Sequence, residues 1–306
     1  MGRFILMRLA GLVAVLFVVS IITFTLMHEV PGGPWKYGQR PFSDQQIEAL
    51  KARYGLDKPL VEQYFTWLGG VVKLDFGDSF QHPGESVSHV IARTWPVTAQ
   101  LGLMSLVVAF VIGLPLGIIA AYRQNSWIDY IATLLSIGGF VTPHFVLGIF
   151  FILIFSLTLH LLPTGGWEGP ETWIMPVMVY ALLPMATIAR YTRSSVLEVI
   201  HSDYVRTARA KGLSENAVLR KHVLKNALIP LVTVFGPLIP DMVTGSIFVE
   251  AIFRVPGLGR YWVTSTLNRD YPMIIGLACM WAFLIGFTYL ITDIVYTWID
   301  PRVRFS

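Results

Sequence analysis

The stretch Pro96-Val-Thr-Ala-Gln-Leu-Gly-Leu-Met-Ser-Leu-Val-Val-Ala-Phe-Val-Ile-Gly-Leu-Pro-Leu-Gly-Ile-Ile-Ala-Ala-Tyr122 contains no Asp, Glu, Lys or Arg. A helix needs about 20 largely apolar residues to cross the hydrocarbon of a bilayer, so this run is long enough to span one. Five more runs share the pattern: Leu9 to Met27, Tyr130 to Leu159, Thr172 to Ala189, Ala227 to Val249 with Asp241 inside it, and Pro272 to Ile299 with Asp293 near its end. They are continuous, whereas barrel strands would alternate over segments of about ten residues, so helices suit all six. The expectation is an all-α integral membrane protein with six transmembrane helices. The second and third runs, separated only by Arg123 to Asp129, should form a hairpin across the membrane.

Composition agrees. Of 306 residues 54% are apolar and 14% charged, against roughly 45–50% and 25% in soluble domains, and mean hydropathy is +0.61. That excess is more than one compact core absorbs, and it excludes a soluble globule, a disordered chain and a collagen-like repeat. A disulfide framework is excluded by the single cysteine, Cys279, which reads as a buried, inert thiol. Leu9 to Met27, preceded by Arg3 and Arg8, is long for a signal peptide and lacks a small-residue cleavage site; it reads as an uncleaved anchor.

Net charge is +4, and its distribution fixes an orientation. His160 to Glu171 carries no Lys or Arg, whereas Arg190 to Lys225 carries eight. The basic loop is therefore expected in the cytoplasm. Six spans then place both termini there, in agreement with Arg3, Arg8, Arg302 and Arg304. The same asymmetry explains the basic balance without a nucleic-acid partner. His28 to Thr94 falls on the outer side. Within it Ser43 and Gln46 form a capping box ahead of one short helix that Gly55 ends, and Pro59 opens a second with Leu60, Tyr64, Trp67, Leu68 and Val71 on one face. Aromatic, amphipathic pieces of this kind lie at the lipid interface or against neighbouring helices.

No phosphate-binding loop, zinc-protease signature, nucleophile elbow or Cys/His cluster occurs, so no catalytic residue, metal ligand or cofactor is expected. His144, behind Pro143 in the third run, reads as the site of a kink and a local hydrogen bond rather than as a ligand.

The cytoplasmic loop reads as helix, break, helix. Ser202 or Asp203 caps a short helix from Tyr204 to Lys211, Gly212 takes the left-handed conformation that ends it, and Ser214 caps a further helix through His222 to Ala227. Tyr204, Ala208 and Lys211 share a face of the short helix, and the small side chains of Thr207, Ala208 and Ala210 allow another surface to approach. Composition alone leaves a docking helix and a solvated topology signal equally open.

Arg206-Thr-Ala-Arg-Ala-Lys-Gly212 resembles the E-A-A-x-x-x-G loop of ABC importer permeases, in the variant of the oligopeptide/dipeptide/nickel family. It has Arg206 where the general pattern has Glu, and Lys225 where that pattern has a downstream proline. The resemblance extends through Pro31-Gly-Gly-Pro34, Tyr54-Gly-Leu-Asp-Lys-Pro-Leu60, Asp75-Phe-Gly77, Thr192-Arg-Ser-Ser195, Gly236-Pro237, Val255-Pro-Gly-Leu-Gly259, Asn268-Arg-Asp-Tyr271 and Ile299-Asp-Pro-Arg302, nearly the whole chain. The outer loop with Leu162-Pro-Thr-Gly-Gly-Trp167 looks more like the oligopeptide branch than the dipeptide or nickel branches.

The resemblance implies a type I importer permease fold in a bacterial inner membrane. It divides the chain into a first helix with an outer segment (1–93), a permease domain (94–299) holding a coupling loop (190–226), and a cytoplasmic tail (300–306). It also implies partners: a second homologous permease, two ABC ATPase subunits, an external solute-binding protein and a peptide substrate. ATP hydrolysis would belong to those partners, so the chain is no enzyme by itself. Tyr204, Arg206, Thr207, Ala208, Arg209, Ala210, Lys211 and Gly212 would then form the ATPase-coupling element.

Asp241 is the remaining candidate. An ionised side chain facing lipid costs at least about 2.5–3.5 kcal/mol, so it must face protein or water. Read as one continuous helix, the run places Gly245 and Ser246 a turn further on the same side, with room for a cavity or a close neighbour. Asp241 would either line the translocation path, offering a passing charge to a peptide's amino terminus, or bond a neighbouring helix and hold the gate. The second role is favoured, since tight binding in the path would slow release. An intramembrane acid also suits an ion-driven secondary transporter, but that class leaves the loop without a role.

Overall fold

The computed structural model describes residues 2–30, 34, 43–82, 84–228, 231 and 234–299. Positions 31–33 of the Pro-Gly-Gly-Pro motif and 300–306, with Arg302 and Arg304, lie outside the described residues. Every regular element among the described residues is a helix, and an isolated bridge pairs Asp78 with Ser86.

Four helices are long and apolar enough to cross a membrane: α1 (Gly2–Glu29), α4 (Val87–Tyr122), α7 (Pro170–Ile200) and α14 (Tyr271–Ile299). Between them lie α2 (Asp44–Tyr54), α3 (Leu60–Val71), α5 (Trp127–Val141), α6 (His144–Phe151), α8 (Asp203–Ala210), α9 (Glu215–Val218), α10 (Leu224–Ala227), α11 (Leu238–Thr244), α12 (Ile247–Ile252) and α13 (Leu258–Asn268). The third expected span is a bent pair: α5 and α6, with the π-helical turns Ile152–Thr158 that continue α6, meet at 112°. Thr142 is extended and Pro143 has no N–H to give, which is the kink expected beside His144.

The expected run from Ala227 to Val249 is not one helix. Its described part holds the end of α10, helical positions 231 and 234–235, the turn at Gly236-Pro237, α11, and the start of α12 beyond Gly245 and Ser246. α11 starts behind Gly236-Pro237 and stops at Gly245, whose φ of 82° no helix accommodates. Hydropathy registers the apolar length of this run but not the proline and glycine that divide it.

The chain divides into two compact units. In Met1–Thr98 with Pro256–Leu290, α2 begins with the capping box read from the sequence: Gln46 N–H donates to the Ser43 hydroxyl at 3.3 Å, and Ser43 N–H to Gln46 Oε1 at 2.9 Å. Gly55 ends it with φ of 67°. α3 follows Pro59 and lays Tyr64, Trp67 and Leu68 against Phe24, Ile275 and Cys279, with the Tyr64 hydroxyl 2.8 Å from that of Ser20. Leu60, expected on that face, is exposed. α4 begins at Val87 rather than Pro96, because Val87 and Val90 are buried against Leu258, Met273 and Leu277. Arg93 interrupts the apolar run without interrupting the helix, since its guanidinium donates to Glu85 and the Tyr261 hydroxyl, each at 2.7 Å.

In Ala99–Val255 with Ile291–Ser306, small residues set the helix spacing. A Cβ on Gly117 of α4 would strike the Ala189 carbonyl of α7, one on Gly113 would stand 2.9 Å from that of Met185, and one on Gly102 would strike that of Met242.

Candidate functional site

The basic segment after α7 folds back onto the ends of the long helices of its own unit. α8 is amphipathic: Val205 and Ala208, one turn apart, are buried with Ala121, Val196, Ile200, Val218, Val223 and Ala227. Those neighbours come from α4, α7, α9, the π-helical turns Leu219–Val223 and α10, so α8 rests on a seat that joins both long helices to the next segment.

Its other face is free. Asp203, Tyr204, Arg206, Thr207, Ala210 and Lys211 are exposed, with Arg206 3.6 Å from Asp203 across one turn. This corrects the expectation for Ala208. It does not share the docking face with Tyr204 and Lys211, because it stands one turn from Val205 and that pair is the apolar stripe of the helix. The face open to a partner is Tyr204, Thr207, Ala210 and Lys211, bordered by Arg206.

Helix, break, helix is the observed order, with a different capping mechanism. Ser202 and Ser214 occupy the positions before α8 and α9 in extended conformation, but neither hydroxyl accepts a capping bond. The Ser202 hydroxyl instead donates back to the Val199 carbonyl at 2.7 Å. Gly212 has φ of 79° and nothing within 4 Å of where a Cβ would stand. The expected helix from Ser214 to Ala227 is interrupted by the π-helical turns.

Two residues absent from the sequence reading complete the element. Arg209 donates to Glu215 through Nε at 2.8 Å and Nη2 at 3.2 Å, and the Tyr122 hydroxyl at the end of α4 donates to the same carboxylate at 3.2 Å. Hydrogen bonding to the Arg209 guanidinium holds the Glu215 carboxyl below the usual carboxylate range, and the same contact raises Arg209. An Arg and a Glu six residues apart across a glycine break give no helical spacing signal. Only a fold that turns back at Gly212 brings them together.

Deeper in the same unit, the Tyr180 hydroxyl of α7 donates to the Asp241 backbone carbonyl at 2.8 Å, and the Thr244 hydroxyl to that carbonyl at 2.9 Å. The link to a neighbouring helix thus exists, but the backbone makes it, and the Asp241 side chain is exposed. Gly245 and Ser246 do not continue the helix on the Asp241 side: Gly245 ends it, and buried Ser246 caps α12 by accepting from Val249 N–H at 3.4 Å. The His144 ring meets Tyr180 edge-on at 5.7 Å. Among the described residues no cluster of His, Cys, Asp or Glu has the arrangement of a metal site.

A family model described as "Binding-protein-dependent transport system inner membrane component" matches residues 113–305, and its N-terminal companion matches 1–102. The chain is 39% identical over 304 residues to the dipeptide transport system permease protein DppB of Bacillus subtilis, covering 99% of this chain and 98% of that one. It is 38% identical over 307 residues to the oligopeptide transport system permease protein OppB of Escherichia coli K12, and 40% over 316 residues to the oligopeptide transport system permease protein AppB of B. subtilis, each covering 100% of both chains. Among solved structures, the MetNI methionine ABC transporter in an inward-facing conformation aligns with a TM-score of 0.56 at 18% identity, over 69% of this chain and 96% of that one. An amino acid ABC transporter aligns with a TM-score of 0.52 at 16% identity, over 71% and 95%. These two likenesses concern the fold, which is that of a type I ABC importer permease.

Proposed function

Because the chain belongs to the family of binding-protein-dependent transport system inner membrane components, we propose that it is the membrane-spanning subunit of an ATP-driven peptide importer, coupled to its ATPases through α8. The observation that carries the coupling role is the division of α8 into a buried stripe, Val205 and Ala208, and an exposed face of small and basic residues. A helix fixed on its inner face to the ends of α4 and α7 transmits a push on its outer face to both. Tyr204, Arg206, Thr207, Ala210 and Lys211 meet the ATPase; Ala208, Arg209 and Gly212 set the angle at which they do so.

The assembly we propose holds this chain, a second homologous permease and two ATPase subunits, with an external binding protein delivering the peptide. Region 94–299 is the permease domain, 190–226 its cytoplasmic loop, and 1–93 and 300–306 the flanking anchor with outer segment and the tail. Both termini lie in the cytoplasm, as the Lys and Arg asymmetry argues. Both dipeptide and oligopeptide systems occur among the relatives' names; the Leu162-Pro-Thr-Gly-Gly-Trp167 loop favours oligopeptides. Asp241 lines the path, because it is exposed with no carboxylate partner among the described residues while its backbone is held by Tyr180.

Co-expression with neighbouring permease and ATPase genes tests the reading. The chain should purify with ATPase subunits, and Ala210→Trp, on the open face of α8, should release them while the chain still inserts. Retention of the ATPases by that variant would reject α8 as the docking element.

A further inference from the structure

α7 carries a second guanidinium one turn before Arg193, and it is not engaged in the same way. Arg193 is neutralised by Asp129 through bonds of 2.6 and 2.8 Å. Arg190 has no carboxylate partner among the described residues; its guanidinium stacks 4.9 Å from the Phe140 ring and 5.6 Å from that of Tyr191. Beside it opens a crevice of about 260 Å³ between α4, α5 and α7, lined by Gly117, Thr133, Ser136, Ile137, Arg190 and Ser194 among others. Arg193 also lines the crevice but is held by Asp129, and the Ser136 hydroxyl is spent on the Ala132 carbonyl at 2.8 Å, which leaves Arg190 as the lining cation without a carboxylate partner among the described residues. Gly117, whose Cβ would strike α7, leaves that wall bare on the α4 side.

We infer that this crevice receives the carboxyl terminus of a peptide in transit, with Arg190 as its counter-charge; the inference rests on the peptide-permease reading above. A planar guanidinium already oriented by an aromatic face is suited to accept a carboxylate in bidentate fashion. The volume lies below that of a site enclosing a whole drug-sized ligand, so it fits the end of an extended chain. Direction argues against a lipid headgroup. The guanidinium is turned toward Phe140, three turns along α5 from Asp129, and so away from the helix ends where the Asp129–Arg193 pair sits. An arginine serving a headgroup would reach the opposite way.

The test uses the complete importer in liposomes with saturating binding protein, and compares uptake of a labelled tripeptide with that of its C-terminal amide. Relative to wild type, Arg190→Gln should slow the free acid about ten-fold and leave the amide unchanged, the loss expected for one charge-assisted contact. Ile137→Trp, which fills the crevice from its exposed side and leaves the charge in place, should give the same selectivity and serves where the Gln variant fails to assemble. An equal fall for both peptides, or no change in either variant, overturns the inference. So does an effect of Arg190→Gln that disappears in liposomes without anionic phospholipid, which assigns the site to lipid. A wild type that moves neither peptide contradicts the peptide-permease reading itself, and this site with it.

Discussion

Asp129 and Arg193 form a two-pronged ion pair between the first turn of α5 and the last third of α7, with Oδ1 2.6 Å from Nε and Oδ2 2.8 Å from Nη2. Asn125 N–H adds a third bond to the carboxylate at 2.9 Å, and Asp129 is 3% exposed. The pair fixes the register of α5 against α7, two of the three helices that line the crevice, and α7 leads directly into α8.

Removing one partner strands the other charge. Arg193→Ala should therefore cost about 3 kcal/mol, the lower end for a buried pair, because the Arg193 side chain is 32% exposed. Asp129→Asn should destabilise as well, because an amide NH2 in place of one carboxylate oxygen cannot accept from the guanidinium or from Asn125 N–H and leaves Arg193 without its counter-charge. Thermal unfolding of the purified complex reads both, and an Arg193→Ala variant as stable as wild type would show the pair to be incidental.

The close helix crossing at Gly102 allows no side chain, since a Cβ there would strike the Met242 carbonyl. Gly102→Ala should destabilise by about 1–3 kcal/mol through overpacking. Gly138→Ala is the matched control, because nothing lies within 4 Å of its Cβ position. Equal melting temperatures for the two variants would refute the proposed crossing.

Gly212 separates backbone strain from crowding. Its φ is 79°, yet the space around it is open, so Gly212→Val should misdirect α8 and depress peptide-stimulated ATPase activity, while Gly212→Asn, which tolerates the left-handed region, should retain most of it. Equal loss in both would point to a contact with the glycine surface instead.

The Arg209–Glu215 contact makes a prediction in charge and in pH. Reversing both charges, Arg209→Glu with Glu215→Arg, should recover activity that either single change lowers. Since Glu215 is held below its ordinary pKa, the stabilisation it contributes is complete above the unfolded value of about 4.3 and is lost only as pH falls through the lowered one. Coupling should therefore be insensitive to this group from neutral to mildly acidic pH. A titration of coupling between pH 6 and 7 that Glu215→Gln abolishes would contradict the assignment.

Topology is open to a direct chemical check. With Cys279 replaced by Ala, single cysteines at Gln45, Trp167 and Arg254 should react with an impermeant reagent from outside, and one at Ser214 should not. Labelling at Ser214 from outside would invert the proposed orientation.

Apolar run length and charge placement made the long helices legible, the capping box made α2 legible, and Ser202 and Gly212 marked the ends of α8 although Ser202 makes no capping bond, because these signals are local. The division of the fifth run was visible only as Gly236-Pro237 and Gly245, which a window of mean hydropathy averages away. The inward turn of Ala208 was readable from Val205 three residues before it. Contacts such as Tyr122 with Glu215, or Tyr180 with the Asp241 carbonyl, join residues 93 and 61 positions apart, and no periodicity encodes them.

In the proposed importer, transport through this chain is driven by ATP hydrolysed on subunits seated against α8. Uptake of a labelled tripeptide into liposomes holding the chain with its companion permease, ATPases and binding protein tests it most directly. Uptake should require hydrolysable ATP on the side of Ser214 and persist when ionophores collapse every ion gradient. Uptake by the chain alone, driven by a proton or sodium gradient and indifferent to ATP, would contradict it.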